Sequence, residues 1–242
     1  MIRGLLLDLD NTLVRVDVDA FIERYTRLVA ARLMPEDPAR GWAVVAGASY
    51  AMLAERGARQ SNRERFLAAV GRELGEDPDV VWARLESVAA AALPGFARMS
   101  EPLPHGRETV REARRRGLGV AIATNPIYPR AVIHERMRWA GIEPEDVDFV
   151  ACMEDCTDTK PHAGYFEELA HRLGLGLEAC LMVGDDPDQD VPDGPSHLRV
   201  HLVAAEAPAE QSGPVRHGPL ADLWRVWADE MAEAGRERAA GG

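Results

Sequence analysis

The stretch Ile2-Arg3-Gly4-Leu5-Leu6-Leu7-Asp8-Leu9-Asp10-Asn11-Thr12 decides how this chain is read. Residues 2–9 form a short apolar run ended by acids, the pattern of a strand buried on both faces. Asp8 and Asp10 sit two positions apart, so an ideal strand directs both to one face. Runs of the same character recur at 118–123, 149–152, 180–183 and 200–204. Amphipathic helical patterns separate them at 106–116, 130–140 and 164–173, each stopped by a glycine: Gly117, Gly141 and Gly174. Strands alternating with helices predict an α/β fold, a Rossmann-like parallel sheet with helices on both faces.

Residues 14–100 break that rhythm, and no strand is evident in them. Helical periodicity covers 19–34, 42–56, 62–74 and 78–93, with apolar steps such as Phe21, Tyr25, Leu28, Val29 and Leu33. Tyr25, Trp42, Tyr50 and Trp82 are expected in the core of this segment, one or two of them facing a ligand. The segment holds 12 acidic and 12 basic side chains, so the whole net charge of −12 falls outside it. A neutral helical insert after the first strand of an acidic domain predicts two modules. One is an α/β core of residues 1–13 and 103–242; the other is an all-helical insert of 14–102. Pro94-Gly95 and Pro102-Leu103-Pro104 mark the return to the core. Residues 206–218 read as a loop. Residues 220–238 read as an amphipathic helix, with Leu220, Leu223, Trp224, Trp227 and Met231 covering the sheet.

The acidic balance argues against nucleic acid or an anionic membrane surface as a partner. No run of about 18 apolar residues occurs, so no membrane span is expected. The N-terminal apolar run is too short for a signal peptide, and a cytoplasmic protein is expected. Cys152, Cys156 and Cys180 do not make a disulfide framework and read as reduced structural thiols. Of the 28 basic residues, 27 are arginine and one is Lys160. Guanidinium cannot imitate a compact ammonium on a flexible stem, so that lysine marks a position to inspect.

Four motifs stand at the ends of expected strands. They are Asp8-Leu9-Asp10-Asn11-Thr12, Thr124-Asn125, Lys160-Pro161 and Gly184-Asp185-Asp186-Pro187-Asp188-Gln189-Asp190. Open parallel sheets bind ligands at the carboxyl ends of their strands, so folding should gather all four. Asp8, Asp10, Asp185 and Asp190 then crowd carboxylates that raise each other's pKa. Lys160 supplies one offsetting charge. A divalent ion supplies two, and Mg²⁺ suits carboxylates, waters and phosphate oxygens, whereas a set without His or Cys disfavours zinc. Such a site suits phosphoryl transfer. Lys160 and Thr124 hold phosphate oxygens, one carboxylate acts as nucleophile, and a second protonates the leaving group and then activates water. Asp186, Asp188 and Asp190 imitate the start of an EF-hand loop, but Val191 and His197 occupy its glycine and glutamate positions.

In these motifs the chain resembles the haloacid dehalogenase superfamily over about residues 1–13 and 103–230. The segment Pro102-Leu103-Pro104-His105-Gly106 is similar to the element that leads back into that family's core, and the insert is similar to its C1-type helical cap. The resemblance implies Asp8 as nucleophile and Asp10 as acid/base. It implies phosphate held by Thr124, Asn125 and Lys160, and Mg²⁺ held by Asp8, Asp185 and the backbone carbonyl of Asp10. Asp190, which also orients Lys160, and Asp186 stand behind the metal ligands; Asn11 and Thr12 shape the turn. Asp10 disfavours dehalogenation, whose leaving group needs no proton. The lysine-free insert closes the phosphonatase route, and Leu9 after Asp8 departs from P-type ATPases.

The implied activity is a Mg²⁺-dependent phosphatase acting on a small phosphorylated metabolite through an aspartyl-phosphate. The alternatives are a phosphosugar mutase and a non-catalytic binding protein that kept the fold. Pro192 and Pro195 disfavour a regular helix after the fourth motif. His162 is expected to face solvent. Arg15 is expected either in a surface ion pair or against substrate. Lys160→Arg is expected to abolish activity with little loss of folding.

Overall fold

The computed structural model describes residues 1–203 and 214–231. In chain order come β1 (Gly4–Leu7), β2 (Val14–Val16), α1 (Val18–Leu33), α2 (Pro38–Ala54), α3 (Asn62–Leu74), α4 (Pro78–Phe96) and β3 (Ser100–Pro102). There follow α5 (Gly106–Arg115), β4 (Gly119–Ile122), α6 (Arg130–Trp139), β5 (Phe149–Val150), α7 (Ala163–Arg172) and β6 (Cys180–Gly184). Last are α8 (Pro187–Asp190), β7 (Arg199–Val203), β8 (Val215–Gly218) and α9 (Leu223–Val226).

The sheet is parallel throughout, in the order β5-β4-β1-β6-β7-β8. Register makes the site possible. Leu7 of β1 lies opposite Ile122 of β4 and Val183 of β6, so three strands end level and their next residues share one edge. Alternation divides the apolar side chains between the faces. Leu5 and Leu7 pack with Val120, Ile122 and Val183 toward α5 and α6. Leu6 packs with Ala121 and Met182 against Tyr165, Phe166 and Leu169 of α7.

The insert is four capped helices. Asp17, Asp37, Ser61 and Asp77 each accept a hydrogen bond from a first-turn amide, and Ser61 with Glu64 completes a capping box. Helix α4 passes the expected stop at Leu93 and carries Pro94 in its last turn, where the ring withholds the N–H that the Ala90 carbonyl would accept and the helix ends two residues later. By length and composition alone Pro78–Met99 is long and apolar enough to cross a membrane, reaching a mean hydropathy of 1.2 over 18 residues, although charged residues interrupt it. Here Val81, Leu85, Val88 and Leu93 of that helix are buried in the protein.

Three further expectations are corrected. The insert is not free of strands, because β2 and β3 pair antiparallel, Val14 opposite Pro102, and carry the chain out and back side by side. Residues 215–218, read as loop, form β8 on the edge of the sheet. Among the described residues the expected C-terminal helix is reduced to α9, preceded by a 3₁₀ turn at Leu220–Asp222, and Met231 bridges back to Ile2. Residues 204–213 and 232–242 lie outside the described residues, and with them most of the expected loop and the end of the expected helix.

A second attachment joins insert and core. The amides of Asn62 and Arg63, at the start of α3, donate to the carbonyls of Cys156 (2.8 Å) and Met153 (2.7 Å). Asn62 is fully buried, and its Nδ2 donates to the carbonyls of Pro126 and Asp158, each at 3.1 Å. Phe21 of α1 meets Tyr128 at 5.6 Å and Trp139 at 6.2 Å between ring centroids, so apolar packing continues from the insert into the core.

Candidate active site

Strand β1 ends at Leu7, one residue before the first motif, so Asp8 and Asp10 lie beyond the regular strand. Asn11 turns the chain with φ 56°, a left-handed conformation that asparagine tolerates. Its Oδ1 accepts from the Val16 amide at 3.2 Å, which fixes the start of the ribbon. Asp8 and Asp10 still face one cavity of about 540 Å³, together with Thr124, Asn125, Lys160 and Asp185. Folding therefore gathers all four motifs, with Asp186 and Asp190 in the same wall.

Lys160 is the hub. Its Nζ donates to Asp8 Oδ1 at 2.7 Å and to Asp190 Oδ1 at 2.6 Å, and its side chain is 2% exposed. The other oxygen of Asp190 accepts from the Asp186 amide at 3.0 Å. Gly184 is required here, because a Cβ at that position would collide with the Asp190 carboxylate. Thr12 Oγ1 donates to Asp185 Oδ1 at 3.2 Å. Asp186 caps α8 by accepting from the Asp188 amide at 2.9 Å. The segment forms no EF-hand loop, and no regular helix follows Asp190.

Burial pushes the Asp8 carboxyl up to about 7; Lys160 pulls it down, while Asp190 and Asp10 push it further up. Asp185 rises to about 6, mainly by burial and then by Asp190. Burial acts to lower Lys160, but Asp8 and Asp190 outweigh it and hold the ammonium above its ordinary value. Carboxylate oxygens of Asp8, Asp185 and Asp190 lie within 4.8 Å of one another. Three carboxylates and one ammonium leave two negative charges on an all-oxygen donor set, which fits a hard divalent cation such as Mg²⁺. This group includes Asp190, expected only behind the ligands, and not the carboxylate of Asp10.

Asp10 is held otherwise. Its Oδ2 is ion-paired with the guanidinium of Arg136 on α6, while its Oδ1 is buried without a hydrogen-bond partner among the described residues. Arg136 is itself buried, and its guanidinium carbon lies 4.8 Å from the Phe21 ring centroid and 5.4 Å from that of Tyr128. Sequence reasoning missed this residue. The signal was present: Arg136 shares the buried stripe of α6 with Val132, Ile133 and Met137, where an unpartnered cation would be costly. Gln189 was missed too; its Oε1 accepts from Asn125 Nδ2 at 3.3 Å. Tyr165 donates to the Thr124 carbonyl at 2.7 Å and fixes the second motif.

Several expectations change. His162 does not face solvent: it is buried, with Nδ1 2.6 Å from Asp158 Oδ1. Arg15 pairs with Glu101 at 3.4 Å on the surface. Tyr25 is buried as expected, but Tyr50 is 74% exposed. The three cysteines are free and buried, and burial raises all three thiols.

A parallel sheet with a carboxylate cluster at its strand ends and helices inserted after the first strand defines a class of enzyme. The match to known proteins is to the family described as haloacid dehalogenase-like hydrolase, over residues 2–194, and the chain belongs to that family. It is 26% identical over 195 residues to glyceraldehyde 3-phosphate phosphatase of Methanocaldococcus jannaschii, covering 79% of each chain. Among solved structures it is similar to a HAD phosphatase of Thermococcus onnurineus, with TM-score 0.57 and 15% identity over 96% of this chain and 100% of that one. It is similar too to a 2-haloacid dehalogenase of Pseudomonas syringae, with TM-score 0.54 and 20% identity over the same shares. The chain is thus an enzyme of a hydrolase family, with that family's fold.

Proposed function

We propose that this enzyme is a Mg²⁺-dependent phosphatase of small phosphorylated metabolites, working through an aspartyl-phosphate on Asp8. One observation carries the reading: Asp8, tied to Lys160 at 2.7 Å, shares an all-oxygen cluster with Asp185 and Asp190 in a cavity lined also by Thr124 and Asp10. The phosphatase name of the 26% identical relative points the same way. The division into a core of 1–13 and 103–242 and a cap of 14–102 belongs to this proposal, with the β2–β3 ribbon as the junction.

Asp8, Asp185 and Asp190 would hold Mg²⁺, with the Asp10 carbonyl as the further ligand implied by the family resemblance. The ion supplies positive charge that lets an anionic phosphate meet an anionic nucleophile. Lys160, Thr124 and Asn125 bind the phosphate oxygens and keep phosphorus in line with an Asp8 oxygen. Asp8 forms a bond to phosphorus as the ester P–O bond breaks, and Asp10 delivers a proton to the departing alkoxide. Asp10 then takes a proton from water as that water attacks phosphorus and restores the Asp8 carboxylate. Its unpartnered Oδ1 is the atom open to that proton, while Arg136 fixes Oδ2. Val18, Asp19, Phe21, Ile22 and Leu53 of the insert form one wall of the cavity, and closure of the insert over it would exclude bulk water.

The test is hydrolysis of an aryl phosphate with Mg²⁺ and with a chelator. Turnover should require Mg²⁺ and vanish in Asp8→Asn. Turnover that persists in Asp8→Asn would sink the assignment.

A further inference from the structure

Beside the carboxylate cavity lies a second one, of about 270 Å³, between the helical insert and residues 127–129 and 153 of the core. Most of its lining is apolar, among it Val29, Trp42, Val45, Phe66 and Leu85, with Thr26 and Ser49 as polar exceptions. It is a cleft open to solvent, and a concave, mostly apolar cleft with a few polar groups is the usual form of a small-molecule site. Four residues, Ile22, Leu53, Ile127 and Tyr128, line both cavities and form a shared collar. Ile22 is 39% exposed and Tyr50 74%, so apolar surface faces outward at this place. Contiguous apolar surface of that kind marks a binding site. Among the described residues no charged side chain lines the cavity. Tyr25 in its wall has a buried hydroxyl without a partner among the described residues, which leaves a donor for an occupant beside the hydroxyls of Thr26 and Ser49.

We infer that this cavity is a subsite for an apolar alcohol portion, so that the substrate is a phosphate monoester of a predominantly apolar alkyl or aryl alcohol, with room for an acceptor atom near Tyr25. The inference rests on the phosphatase reading and adds the substrate class to it. The phosphate occupies the charged cavity and the apolar body crosses the collar at Ile22 and Tyr128. A polyhydroxylated sugar carries more hydroxyls than the few polar groups of this mostly apolar wall can pair, which disfavours it.

The experiment uses n-alkyl phosphates from propyl to octyl. Their kcat/KM should rise about fourfold per added methylene until the cavity fills, the ratio that burial of one CH₂ corresponds to. Glyceraldehyde 3-phosphate should be a poor substrate beside octyl phosphate. Binding is read separately by calorimetry with Asp8→Asn in Mg²⁺, where no turnover is needed; octyl phosphate should again bind far more tightly than propyl phosphate. Ala46→Phe, which fills the cavity from α2, should collapse the octyl-to-propyl ratio in both measurements. If octyl phosphate binds tightly but no ester is hydrolysed, the phosphatase reading fails and the subsite stands. If propyl and octyl phosphates bind alike, or neither binds, the subsite is refuted. A ratio unchanged by Ala46→Phe in a folded variant refutes it too.

Discussion

Replacing Lys160 by methionine keeps a stem of similar length and removes the ammonium that Asp8 and Asp190 share. The side chains of Lys160 and Asp190 are 2% and 1% exposed, and that of Asp8 is 11% exposed, so water cannot take over the lost contacts. Removing one partner of a buried ion pair costs about 3–5 kcal/mol, because a charge is left uncompensated. At roughly 2–4 °C per kcal/mol for a chain of this size, the melting temperature should fall by about 6–20 °C. The magnitude depends on pH. Lys160 pulls the Asp8 carboxyl down, so in the variant a proton binds Asp8 more readily and relieves part of the repulsion, and the loss should be larger at pH 8 than at pH 6. Thermal unfolding by circular dichroism at both pH values, without divalent ions, reads the effect. Loss of a charged donor to the phosphate should also lower kcat by about 10²–10³. Lys160→Arg, expected from sequence to fold well, should lose about 1–3 kcal/mol as well, since the guanidinium overfills a closed socket. A Lys160→Met protein that melts within about 2 °C of wild type at pH 8 would refute the charge argument.

Three other outcomes follow from the geometry. Arg136→Lys should lower kcat by roughly tenfold for alkyl phosphates and much less for aryl phosphates, because only the poorer leaving group depends on a well-placed Asp10 proton; equal losses would mean a merely structural role. His201 is buried between the Trp227 indole N–H (3.2 Å) and the Gly218 carbonyl (3.1 Å), and burial lowers its pKa to about 4. Its folded pKa lies below the unfolded value, so the stability it lends is whole above about pH 6.5 and drains as pH falls toward 4, at up to about 1.4 kcal/mol per pH unit. His201→Gln should flatten that slope in denaturant titrations, and an unchanged slope would contradict it. Asn62→Ala strands the Pro126 and Asp158 carbonyls and should cost about 1–3 kcal/mol, with faster proteolysis at the junction of insert and core; wild-type resistance would argue against the attachment.

Much of this was legible in the sequence where a local pattern decided the outcome. Residues 62–74 carry both a capping box and a clear apolar stripe, and the helix has those bounds. Asp8, Thr124 and Asp185 were readable because each closely follows a strongly apolar strand, whereas Lys160, ten residues past β5 and just before α7, stood out as the one lysine among 28 basic residues. What escaped depends on partners far away in the chain. Val14–Val16 and Ser100–Pro102 are strands only because they meet each other. Val215–Gly218 carries an arginine and a histidine and gains its conformation from the edge offered by β7. Arg136 stands on the buried stripe of α6, and its partner Asp10 lies 126 residues away, so the pair is visible only in the fold.

The packing of Phe21 against Phe96 within the insert and against Tyr128 and Trp139 beneath it bears on how the molecule comes apart. One apolar cluster runs from Leu85 in the insert to Val183 in the sheet. Units that share an interior do not melt separately; they unfold as one cooperative block. The four helices, opened by a cavity beside them, draw part of their stability from α6 and Tyr128 of the core, on which they pack. A substitution deep beneath the catalytic edge is therefore felt in the helices that face the substrate, with no signal passing through the site between them.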